Sequence, residues 1–149
     1  MKSGWLLFLV WLGFQQDNGE MEQPQTGDLV VTITDLESRY HGHLLITLYD
    51  QAEGFPADYD YAQAQHIVPI ENQSTVEVTF KQLPFGEYAV AVLHDEDGDR
   101  KMDFNWLGMP TEGWVCSNEI FRTFRSPYFR EAKFTLQQKQ HHVSLQIHY

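Results

Sequence analysis

The sequence predicts an all-β chain: an antiparallel β-sandwich of about seven strands, in the style of a prealbumin-like or Ig-like Greek key. Three observations point there. Hydrophobic and polar residues alternate with period two in segment after segment, which is what a sheet with one buried face requires. Turn signals rich in Gly, Pro and Asp separate the segments. The chain has 149 residues, 42% hydrophobic and 14% aromatic, enough to build one core with little room for a second domain.

The elements follow in order. Lys2 precedes an apolar run from Trp5 to Phe14, long enough for the hydrophobic region of a signal peptide and too short to span a bilayer. Residues 1–19 are therefore expected to be a signal peptide, 20–27 a polar linker and 28–149 the single folded domain. The first strand has Leu29, Val31 and Ile33 on its inner face. The second has Leu44, Ile46 and Leu48 inside, with His43, Leu45, Thr47 and Tyr49 facing out. Residues 52–65 read as a loop with one helical turn near Asp58 to Ala64. Gln65 to Ile70 is a weaker strand, and Val76, Val78 and Phe80 mark another. Leu83-Pro84-Phe85-Gly86 is a tight turn, with Pro84 fixing one φ and Gly86 free to take a positive one. Tyr88 to Leu93 is apolar on both faces, hence central. Ala132, Phe134 and Leu136 form a late strand, and Val143, Leu145 and Ile147 the last.

Charge and cysteine content narrow the function. Twenty-one acidic residues against ten basic give a net charge of −11. That sign disfavours nucleic acid and anionic lipid, which need clustered Lys and Arg. The lone Cys116 excludes an intrachain disulfide and any CxxC site, and no activating partner stands beside it.

The chemical centre is His94 to Asn105. Asp95, Asp97, Asp99 and Asp103 fall at relative positions 1, 3, 5 and 9, with Gly98 in the turn. Carboxylates two residues apart on a curled loop converge, and hard oxygen ligands suit Ca²⁺. Asp95, Asp97, Asp99 and Asp103, with the Lys101 carbonyl, are the expected ligands. The spacing is not that of an EF-hand, because glycine sits at position 4 and Trp106 at position 12. The plainer alternative is a solvated acidic turn. Next comes an aromatic loop in which Asn105, Trp106 and Trp114 could grip a sugar or peptide. Burial of both tryptophans at one end of the sandwich is the commoner fate of such side chains. The arginines of Arg122 to Arg130 could pair with the acidic loop or an anionic ligand. Of the seven histidines, only His94 stands among other candidate ligands.

Together, several stretches resemble the bacterial exported family called domain of unknown function 2141. They are Val30 to Leu36, Glu53-Gly54-Phe55-Pro56, Leu83 to Val92, His94 to Asp99, Lys101-Met102-Asp103, Asn105 to Pro110, Glu112-Gly113, Ser117-Asn118 and Phe129 to Phe134. The resemblance implies export and assigns no activity. The family usually has Asn where Asp97 and Asp99 stand, an exchange that keeps the oxygen ligands and adds charge. Leu-Pro-x-Gly-x-Tyr also resembles transthyretin-like and collagen-adhesin sandwich modules, which bears on fold and not on function. The transthyretin-fold hydrolases end in Tyr-Arg-Gly-Ser and this chain in His148-Tyr149, so no such activity is expected. The leading expectation is an exported, non-enzymatic, calcium-stabilised structural or interaction domain in the periplasm or at the cell surface, partnered by a protein or glycan. A carbohydrate- or peptide-binding module using Trp106 and Trp114 is the alternative. A hydrolase using the metal or His94 comes third.

Overall fold

The computed structural model describes residues 25–37, 41–120, 122 and 125–149. The apolar run of Trp5 to Phe14 and the rest of the expected signal peptide lie outside the described residues. Among the described residues no helix is long and apolar enough to cross a membrane.

The expected all-β sandwich is present, with eight strands in two sheets. β1 (Thr26–Thr34), β4 (Val76–Pro84) and β8 (Gln140–Gln146) form the first, in the order β4-β1-β8. β1 is antiparallel to β4 and parallel to β8, so the sandwich is not purely antiparallel. The second sheet has the order β3-β2-β5-β6, built from β3 (Ala64–Pro69), β2 (His43–Tyr49), β5 (Gly86–Asp95) and β6 (Trp114–Cys116), and β7 (Phe134–Leu136) also pairs with β5. Leu29, Val31 and Ile33 from the first sheet meet Leu44, Ile46, Leu48, Val90, Val92 and Val115 from the second, forming the main core. The alternation in β1, β2 and β5 sends these side chains to one face, and their removal from water drives the two sheets together.

Four expectations need correction. The face of β2 read as wet is buried: Leu45, Thr47 and Tyr49 are at most 3% exposed. Loops cover that face, so the second sheet is sandwiched on both sides. Ala132 ends a short helix, α1 (Phe129–Ala132), and is not in a strand. The helix forms because Glu131 turns back to accept the Tyr128 N–H at 2.9 Å, a capping interaction that competes with strand geometry. β6 was not anticipated, since three residues carry too little periodicity to read. Gly86 does not use a positive φ. The turn it occupies instead moves the chain from one sheet to the other, and the Tyr88 hydroxyl donates to the Pro84 carbonyl at 2.8 Å to hold that corner. The expected helical turn is a 3-10 turn at Tyr59–Tyr61, inside the loop that follows β2.

Candidate functional site

β5 ends in Asp95, and the chain then folds into a tight acidic turn. Side-chain oxygens of Asp95, Asp97 and Asp99 lie within 4.8 Å of one another. The convergence comes from backbone hydrogen bonds. Asp95, 1% exposed, accepts the N–H of Gly98 at 2.8 Å and of Arg100 at 3.1 Å on its two oxygens. Asp97 accepts from Asp99 at 3.0 Å, and Asp99 from Lys101 at 2.7 Å. Gly98 supplies a positive φ of 84° where an added Cβ would meet nothing but where L-residues are strained. Asp103 is not in this carboxylate cluster.

Glu112 belongs to this site although no local motif marks it. It is 4% exposed, and its two oxygens accept the N–H of Glu96 at 2.9 Å and of Asp103 at 3.1 Å. One carboxylate therefore ties both ends of the acidic loop to the strand that returns from it. Burial raises its pKa, the two N–H donors oppose that, and the charges of Asp103 and Asp95 add to the rise. The available signal was a glutamate immediately before the Gly113–Trp114 entry into β6.

His94 lies one residue before the turn and is fully buried. Its Nε2–H faces the His41 carbonyl at 3.2 Å, which leaves Nδ1 to accept from the Tyr149 hydroxyl at 2.7 Å. The same hydroxyl accepts the Glu37 N–H at 3.4 Å. Gly113 is required beside this ring, because an added Cβ would fall 2.5 Å from Tyr149. Burial pushes the His94 pKa below 6.5, outweighing the upward pull of the His41 carbonyl and the Asp95 charge. The unfolded chain thus takes up the proton first. Stability present above pH 6.5 should be lost as the pH falls below it, down through the folded pKa. Urea midpoints measured across that range should fall in the parent and fall less steeply in His94→Asn.

A cavity of about 380 Å³ lies over the outer face of the second sheet. Its floor is the alternate set of strand residues to those in the core: Leu45 and Thr47 from β2, Ala91 and Leu93 from β5, Trp114 and Cys116 from β6. Its walls are Pro56, Ala57 and Tyr59 on one side, Lys101, Met102, Phe104, Gly108 and Pro110 on another, and Arg122, Arg125, Ser126 and Pro127 on a third. Burial lifts the Tyr59 hydroxyl to a pKa of about 12, and the charges of Asp95, Glu112 and Asp99 add to the rise. Cys116 is 2% exposed, and burial alone pushes its thiol to about 12.

The predicted aromatic residues divide. Trp114 lines the cavity. Trp106 does not; it is 90% exposed at the tip of a short turn, so it closes no core. Asn105 holds that turn, its Oδ1 accepting from Leu107 at 2.9 Å and Met109 at 3.1 Å. Arg122 and Arg125 do not pair with the acidic loop. Both reach Glu131, at 2.9 and 2.8 Å, which holds the Glu131 carboxyl far below the usual range.

The family model described as an uncharacterised protein conserved in bacteria, DUF2141, matches residues 31–144. No curated protein and no solved structure matches the chain.

Proposed function

The chain belongs to the DUF2141 family of bacterial proteins, and on that premise we propose that it is an exported binding module. In this reading a small ligand occupies the cavity over the second sheet. The cavity itself carries the reading. Its volume is within the range of small-molecule sites, and its wall and floor combine apolar residues with a few convergent polar groups. Two features favour binding over a purely structural role. Trp114 packs against the Ala91 and Cys116 cluster and still presents surface to the cavity, and Trp106 stands exposed. The few polar groups on the floor favour an apolar ligand over a carbohydrate, which needs many hydrogen-bonding partners. Export rests on the Lys2-led apolar run from Trp5 to Phe14.

Titration with N-phenyl-1-naphthylamine, an uncharged apolar fluorophore, tests the reading. Saturable binding of one molecule per chain, with Trp114 quenched, is expected. Absence of saturable binding by the folded protein counts against it.

Calcium at the acidic turn belongs to the same proposal. Three carboxylates with hard oxygen donors, already oriented by backbone N–H groups, match the ligand chemistry of Ca²⁺. Bound there, the ion would neutralise the clustered charge and fix the loop that continues into the Lys101 to Pro110 wall. Millimolar Ca²⁺ should raise the melting temperature by several degrees, for about 1–2 kcal/mol of binding stabilisation. Asp97→Asn with Asp99→Asn should lose much of that rise. A melting curve identical in calcium and in EGTA removes the metal from the account and leaves the cavity untouched.

A further inference from the structure

We infer that the cavity selects an apolar ligand carrying a single carboxylate, of the fatty-acid kind; this rests on the binding reading above and specifies its ligand. The observation is a local inversion of charge. The chain has 21 acidic residues and ten basic, yet the described lining includes three of the ten, Lys101, Arg122 and Arg125, and no Asp or Glu. In a protein of net charge −11, a neutral apolar ligand gives no reason for such a segregation.

The three cations are only partly cancelled where they stand. Arg122 and Arg125 share one carboxylate, Glu131, which leaves one positive charge between them. Among the described residues Lys101 has no carboxylate in salt-bridge reach. Lys101 and the two arginines lie on different walls of the cavity, while the floor between them is apolar: Leu45, Ala91, Leu93 and Trp114. Anchorage of an apolar body on the floor and of one anionic group at the cationic wall uses both features. A guanidinium fork matches a carboxylate in two parallel hydrogen bonds, and Arg125 already makes such a pair with Glu131.

Three probes of one chain length separate the terms: decanoate, decanol and decylamine, each below its micelle concentration, titrated calorimetrically into the full folded protein. Decanoate should bind about tenfold more tightly than decanol, the scale of one charge-assisted contact, and decylamine most weakly. Lys101→Met should lower decanoate affinity several-fold and leave decanol unchanged. Glu131→Gln frees the two guanidiniums from their internal carboxylate, and Gln still serves as the helix cap. It should tighten decanoate binding, a gain that a merely destabilised fold would not give. Equal affinity for decanoate and decanol overturns the inference and leaves the binding reading standing. Failure of all three probes to bind overturns both. Phosphatidylglycerol vesicles separate a free acid from a lipid surface. No co-sedimentation is expected, and co-sedimentation that decanoate does not compete away overturns the free acid as ligand.

Discussion

Glu112→Ala should destabilise the protein by about 3 kcal/mol, the scale expected for losing two hydrogen bonds to a buried carboxylate and leaving their N–H donors without an acceptor. The two donors belong to Glu96 and Asp103, on either side of the acidic turn, so the loss acts on both ends of one loop. Removal of a buried negative charge near Asp95 and Asp103 returns part of that cost, because repulsion and burial both disfavour the Glu112 anion. The net effect remains destabilising, since the loop would have to find water for two backbone groups now held inside. Urea denaturation measures it directly. Glu53→Ala, at an exposed glutamate in the loop after β2, should stay within about 0.5 kcal/mol of the parent and serves as the comparison. Amide exchange in the Glu96 to Asp103 segment should rise in Glu112→Ala well before the β-sheet amides exchange. Glu112→Gln keeps one acceptor and points an amide N–H₂ at the other donor, so it should recover at most part of the loss.

Ala91→Phe should abolish ligand binding in the cavity, with at least about a hundredfold loss of affinity for decanoate and decanol alike. Ala91 sits on the floor in the middle of β5, opposite Thr47 on β2 and Cys116 on β6. A phenyl ring there enters space that exists already, so the usual penalty for overfilling a close-packed core is reduced and stability should change by no more than about 1–2 kcal/mol. The pairing of lost binding with a retained melting transition is the diagnostic result. Unchanged affinity in a folded Ala91→Phe protein would place the ligand somewhere other than this face.

The main core was legible because period-two alternation over seven or more residues leaves one solution for which face is inside. Leu29, Val31 and Ile33, and Leu44, Ile46 and Leu48, took their places in it. The curl of the acidic turn was legible for a similar reason: Asp at every second position with Gly98 between leaves few alternatives, and the carboxylates of Asp95, Asp97 and Asp99 do converge. The second face of β2 was not. Leu45 and Tyr49 stood there as a hint, but Thr47 and His43 made the face look wet, and only the folding of three separate loop segments over the sheet buries it. The cavity depends on that same folding, so no local pattern contains it. Glu112 was hidden by distance, being nine residues from one of its donors and sixteen from the other. Trp106 was misjudged by composition, which favours burial of large aromatics; the short turn held by Asn105 instead lifts it away from the protein.

The placement of the ligand over the outer face of the second sheet is tested most directly by amide chemical-shift mapping of the full chain titrated with decanoate. Shifts are expected to concentrate at Leu45, Thr47, Ala91, Leu93, Trp114 and Cys116 and along the Lys101 to Pro110 wall, with the first-sheet amides of β1 and β8 unmoved. Shifts confined to the exposed turn around Trp106, or no shifts at saturating decanoate, would contradict it.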